Sequence, residues 1–144
     1  MRIVVQRVNS AKLCVGGEEI SRIGKGLVVM VGVCAGDDME KVKKTANKIS
    51  SMRIFEKDDK MDLSVLSVGG EVLLVSNFTL CTKETSGARP DFTLSADKDS
   101  AKKLYLALAE ELMNLGVPTR LGVFGADMQI QVSLDGPITI FKEI

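Results

Sequence analysis

The order of apolar and polar positions alternates between two periods along the chain. Arg2 to Val8 and then Ala11 to Val15 are rich in Val and Ile and stop at Gly16-Gly17, which predicts a strand, a turn, a second strand and a hairpin. Leu27 to Val33 is an unbroken apolar run, too short for a helix and β-branched, as expected of a buried central strand. The period then lengthens. Met39, Val42, Ala46 and Ile49 lie three or four apart behind a cap at Asp37-Asp38, with Lys41, Lys43, Lys44 and Lys48 on the other faces, so a helix is predicted. Met52 to Phe55 reads as a short strand, Lys57 to Lys60 as a polar turn and Glu71 to Leu80 as another strand. Ala101, Leu104, Tyr105, Leu108, Leu112 and Leu115 mark a second helix over Asp97 to Leu115, stopped by Gly116 and Pro118. Two β-prone segments, Met128 to Leu134 and Ile138 to Phe141, close the chain around a break at Asp135-Gly136-Pro137. Strands outnumber helices and adjoin through short turns. An α+β fold follows, with curved mixed or antiparallel, barrel-like sheets and two main helices packed on them in one domain, residues 1–144.

Composition narrows the chemistry. A chain of 144 residues buries roughly 68–70% of its unfolded surface, enough for a core without staples. Lys plus Arg and Asp plus Glu both number 19, so no whole-molecule field draws a polyanion, and any nucleic-acid contact is local. There is no histidine, which excludes Ser-His-Asp, Cys-His and HExxH catalysis. Cys14, Cys34 and Cys81 are far apart, odd in number and without a CxxC pair, so neither a disulfide framework nor a zinc site is expected. No apolar run approaches the ~20 residues of a membrane span, and the expected location is the reducing cytoplasm. No metal or other cofactor is called for.

Two places carry chemistry that the pattern does not demand. In Ser76-Asn77-Phe78-Thr79-Leu80 polar groups enter where the strand should be most buried. Either the strand runs out of the core there, its hydroxyls satisfied by backbone, or it ends in a pocket with hydroxyl and amide donors. Thr79 is a weak nucleophile without an adjacent base, whereas backbone amides near Phe78 and Thr79 would suit a developing oxyanion. Cys81 among apolar residues reads as filler rather than nucleophile. Lys83 and Arg89 lie in a polar loop, where they either meet phosphate or are simply solvated. Asp135-Gly136-Pro137 by itself reads as a turn. If it acts, it acts through rigid backbone carbonyls.

Taken together, Ser76-Asn77-Phe78-Thr79-Leu80 and Asp135-Gly136-Pro137-Ile138-Thr139 resemble the paired signature of D-aminoacyl-tRNA deacylases. The resemblance extends to Met1 to Val8, Met52 to Phe55, Gly87 to Phe92 and Gly122 to Met128, in order along the chain. It implies a homodimer in which a cis Gly136-Pro137 peptide enters the partner's active site and leaves no room for an L side chain, while D-amino acids and glycine fit. By resemblance, Arg7 braces the dipeptide and Phe124 packs near the terminal adenine. Ser76, Phe78 and Thr79 serve the ester, and Asn77 contacts substrate. The ribose 2′-hydroxyl of the RNA assists water attack, in keeping with a chain without histidine.

The partner so implied is the tRNA acceptor end carrying a D-amino acid or glycine. Two positions depart from the family: Asn77 stands where Gln is usual, and Leu134, two residues before Gly136, where Asn is usual. These bear on substrate range. A non-catalytic dimer of the same fold that binds RNA ends or a metabolite is the alternative, and a small-ester hydrolase using Thr79 or Cys81 a third.

Overall fold

The computed structural model describes residues 1–144. In chain order its elements are β1 (Arg2–Val15), β2 (Glu18–Ile23), β3 (Gly26–Gly32), α1 (Met39–Ser51), β4 (Phe55–Lys57), β5 (Lys60–Leu63), β6 (Glu71–Ser76), a 3-10 turn (Phe78–Leu80), α2 (Lys98–Asn114), β7 (Thr119–Leu121) and β8 (Gln129–Glu143). A mixed sheet runs β2-β1-β3-β6-β7, with β8 on the other edge of β1, and β4 and β5 form a separate ribbon. β3, β6 and β7 are parallel, and the longer connections between them contain α1 and α2. The α+β expectation with two helices holds.

The sheet is buried on both faces where it is parallel. Val72 and Leu74 of β6 enter the core beneath the helices, whereas Leu73 and Val75 enter a second cluster with Val8, Leu13, Ile23 and Val28 on the opposite face. Burial on both sides is why Leu27 to Val33 lacks alternation. α1 starts at Asp38, whose side chain accepts from the Lys41 amide, and α2 starts at Asp97, which accepts from Ser100. Val42, Ala46 and Ile49 of α1 and Leu104, Leu108 and Leu112 of α2 fill the main core. No helix is long and apolar enough to cross a membrane.

The strand expected at Met52 to Phe55 begins only at Phe55, β7 was not expected, and the structure departs from expectation in four further places. Arg2 to Val15 is one strand without a turn, because β8 pairs with it along its length while β3 and β2 share its other edge. The tail is likewise one strand that carries the Gly136-Pro137 dipeptide through, with that bond cis. Gln6 faces Thr139 and Val8 faces Leu134, so Arg7 alone stands opposite Asp135 to Ile138, a bulge in which no ladder position is demanded of the proline. β6 stops at Ser76, and Phe78 to Leu80 turn into a 3-10 helix. Finally, Cys34 and Cys81 are joined, with an S–S distance of 2.07 Å. The expectation of no disulfide fails because the parallel pairing of β3 and β6 brings the chain ends after Gly32 and Ser76 side by side, a proximity that sequence spacing hides. Cys14 is free.

Candidate active site

The parallel strands β3 and β6 end together, and a cavity of about 580 Å³ opens beyond their carboxyl ends. Its wall takes Met30 and Val31 from β3, Val75 and Ser76 from β6, Asn77 and Phe78 from the following turn, Ser95, Ala96 and Lys98 at the head of α2, and Phe124 to Met128. Gly32 makes this junction possible. A Cβ there would lie 2.9 Å from Leu80 Cβ and 3.0 Å from the Asn77 carbonyl oxygen, so only glycine lets the 3-10 turn lie against β3.

The turn is held from several sides. Asn77 Oδ1 accepts from the Thr79 amide at 3.1 Å and from the Thr79 hydroxyl at 2.5 Å. The Phe78 carbonyl accepts from the Cys81 amide at 2.9 Å and from Ser95 Oγ at 3.1 Å. Arg2 donates from Nη1 to the Leu80 carbonyl at 3.1 Å and the Thr82 carbonyl at 2.7 Å, and the disulfide ties Cys81 to Cys34. As first residue of the turn, Phe78 keeps an amide N–H with no acceptor inside it, whereas the Thr79 N–H is already taken by Asn77. Ser76, Asn77, Phe78 and Phe124 are therefore brought to one wall. Thr79 is exposed and stands outside that wall.

Arg7, Gly136 and Pro137 are elsewhere in the same chain. Arg7 is 5% exposed and donates from Nη1 to the Ile54 carbonyl at 2.6 Å. Its Nε approaches Asp135 Oδ2 to 2.9 Å as an ion pair, although the N–H does not point at the carboxylate as a hydrogen bond requires. Asp135 thus ties the bulge to β1. Phe124 is set by the buried Tyr105, whose ring lies 5.8 Å away and whose hydroxyl donates to the Leu74 carbonyl at 2.8 Å. Burial pushes the Tyr105 phenol up to about 12, so it acts as a neutral hydrogen-bond donor.

Residues 4–143 match the family model of D-Tyr-tRNA(Tyr) deacylase. The D-aminoacyl-tRNA deacylase of Thermoanaerobacter pseudethanolicus is 45% identical over 97% of this chain and 95% of its own, and that of Lactobacillus acidophilus is 42% identical over 100% of both. The chain belongs to the D-Tyr-tRNA(Tyr) deacylase family. It is a hydrolase, and its class of activity is that of a D-aminoacyl-tRNA deacylase. A solved structure of a c-Myc DNA unwinding element binding protein superposes with a TM-score of 0.95 at 37% identity, covering 100% of this chain and 99% of that one. A probable eukaryotic D-amino acid tRNA deacylase shares the fold, with a TM-score of 0.84 at 19% identity over 99% and 98% of the two chains.

In the deacylase the cavity's charged side chains are Lys98 and Asp127. Sequence reasoning missed Lys98 and Ser95, because their place at the cavity depends on how the head of α2 meets β3 and the 3-10 turn: the Ala35 amide donates to the Leu94 carbonyl and the Ala96 amide to the Val33 carbonyl. Asp127 falls in the segment Gly122 to Met128, and so was within reach. The chain assembles no group of three or more His, Cys, Asp or Glu side chains suited to a metal ion. What the wall offers is backbone and hydroxyl donors around apolar surface, an arrangement for positioning and oxyanion stabilisation rather than for proton abstraction.

Proposed function

We propose that the deacylase cleaves the ester of D-aminoacyl-tRNA, and of glycyl-tRNA mischarged on tRNA-Ala, in the cytoplasm, and that it rejects L-aminoacyl esters by shape. The observation that carries this is the histidine-free cavity at the ends of β3 and β6, lined by Ser76, Asn77, Phe78 and Phe124. An aminoacyl ester is already activated. With no side chain poised as base, the free Phe78 amide and the Ser76 hydroxyl position and polarise the ester, and the ribose 2′-hydroxyl of the terminal adenosine assists the attacking water. Thr79 acts from behind the wall, through its bond to Asn77. Phe124 faces the terminal adenine.

Gly136 and Pro137 lie outside the cavity of their own chain, on a strand whose outer edge has no partner along its 15 residues. A second copy is therefore the natural source of a dipeptide at the cavity, which supports a homodimer with crossed Gly-Pro insertion. Arg7 and Asp135 fix the height at which the dipeptide stands off β1.

The test is to follow ester loss from D-tyrosyl-, L-tyrosyl- and glycyl-tRNA. Loss of the D and glycyl esters with the L ester spared is expected; unchanged lifetimes of both sink the reading and leave a binding dimer. A 2′-deoxyribose at the terminal adenosine should slow D-tyrosyl hydrolysis sharply, and equal rates would remove the RNA from the chemistry.

A further inference from the structure

Within one chain Phe78 is at once the most exposed of the large apolar side chains, at 61%, and one of the most firmly mounted. Asn77 caps its turn, Ser95 and Cys81 bond its carbonyl, and the disulfide anchors the residue three places on. Its ring meets Phe92 with centroids 5.3 Å apart and planes at 77°, an edge contact that leaves much of the ring open to solvent at the cavity mouth. An aromatic held rigidly and left in water is a surface for a flat partner.

The surroundings say how that partner is held. Lys83, Arg89 and Lys98 are near in the chain or at the cavity, and none of them takes part in an ion pair. Yet Glu84 and Asp91 offset two of them within the same loop, and the chain as a whole has no net charge. Phosphate neutralisation therefore contributes little to recognition of an RNA end. Stacking is left to supply it.

We infer that Phe78, backed by Phe92, is the stacking platform for the base of the penultimate nucleotide of the single-stranded RNA 3′ end. The inference rests on the reading above that the cavity takes the aminoacylated terminal nucleotide. Phe124 within and Phe78 at the mouth then serve successive bases, and the RNA enters over the loop of residues 83–92.

Two measurements test it. In the first, D-tyrosyl-tRNA with an abasic penultimate nucleotide, its phosphates intact, is compared with the normal substrate. The wild type should lose about 10-fold in kcat/KM, mainly through KM, in the range expected when one base loses an aromatic partner. Phe78→Leu should lose as much on the normal substrate and show no further penalty with the abasic one, while Phe78→Tyr retains the discrimination. Equal wild-type rates on both substrates, or losses that multiply in the Phe78→Leu enzyme, overturn the platform. In the second, a tRNA carrying 2-aminopurine at the penultimate position and a non-hydrolysable 3′-D-tyrosyl amide is titrated with enzyme. Quenching by wild type that is absent with Phe78→Leu supports the platform, and quenching alike with both overturns it. This binding signal needs no turnover, so a failure of the deacylase reading is seen separately, as stable D-tyrosyl esters in the first assay.

Discussion

Opening the Cys34–Cys81 bridge should weaken the fold and loosen the Phe78–Leu80 turn together. The two cysteines are 47 residues apart, and closing a loop of that length removes chain entropy from the unfolded state equivalent to about 4 kcal/mol at room temperature. The loop contains α1, β4, β5, β6 and the 3-10 turn, so the link constrains a third of the chain's residues in the unfolded state. With a urea dependence of about 2 kcal/mol per molar, the unfolding midpoint of the reduced protein should fall by about 2 M. The local effect is separate. Cys81 is buried at the end of the 3-10 turn, and without its bond the turn that carries the Phe78 amide is held by its hydrogen bonds with Asn77, Ser95 and Arg2. Urea melts of oxidised and dithiothreitol-reduced protein, with the thiol count checked by mass spectrometry, give the first number; kcat/KM for D-tyrosyl-tRNA in the same two states gives the second. The Cys34→Ala variant should reproduce the reduced form and be indifferent to reductant. Identical midpoints for verified oxidised and reduced protein would refute the entropic argument, and equal kcat/KM would show that the remaining hydrogen bonds suffice to fix the turn.

Three further outcomes follow from packing and charge. Burial raises the Asp37 carboxyl, but the Met1 ammonium at 2.6 Å, the Cys34 amide and Lys41 outweigh it and leave its pKa below the ordinary value of ~3.9. A carboxylate depressed by folding contributes stability that is complete above about pH 4 and drains as pH falls through the lowered value, so Asp37→Asn should flatten the acid limb of a stability profile and cost about 3–5 kcal/mol at pH 7. Gly32→Ala should destabilise by about 1–3 kcal/mol and depress kcat, since the new methyl must displace the Asn77 carbonyl; a folded, fully active variant would show that the turn yields without consequence. At Gly136 an added Cβ would sit 3.0 Å from Leu134 Cδ2, a side-chain end that can move, so Gly136→Ala should fold near wild-type stability yet alter the ratio of D- to L-tyrosyl turnover; an unchanged ratio argues against the dipeptide as gatekeeper.

How much of this was legible in the sequence depends on whether each feature is local. The helix starts at Asp38 and Asp97 were legible because a cap is written in neighbouring residues, and the buried run at Leu27 to Val33 because both faces are covered. The length of β1 was not, since Asn9-Ser10 looks like a turn until β8 and its bulge are laid beside it. β7, three residues long and without an apolar pattern, forms only because its neighbour β6 offers an edge. The same holds at the site. Ser76 to Thr79 stood out as polar residues in an apolar strand, but the pairing of Cys34 with Cys81 and the arrival of Ser95 and Lys98 at the cavity are products of the β3–β6 junction and have no signature in spacing.

The two unusual residues sit where the structure supplies a local substitute. Asn77, one methylene shorter than the Gln usual in the family, folds back to cap its own turn, taking the Thr79 amide and hydroxyl. That bond occupies the Thr79 N–H, so in the proposed reaction the oxyanion is left to the Phe78 N–H, and loss of the cap would add a donor and release the turn at the same time. Leu134 packs against Gly136 rather than hydrogen bonding beside it, while Asp135 reaches Arg7 and supplies the polar anchor. Because the Arg7 guanidinium also bonds the Ile54 carbonyl, the height of the bulge is set by a buried cation with several partners and not by the residue at position 134 alone. Arg7 and Asp135 thus hold the bulge, and Asn77 the 3-10 turn, through bonds that do not involve the side chain at position 134.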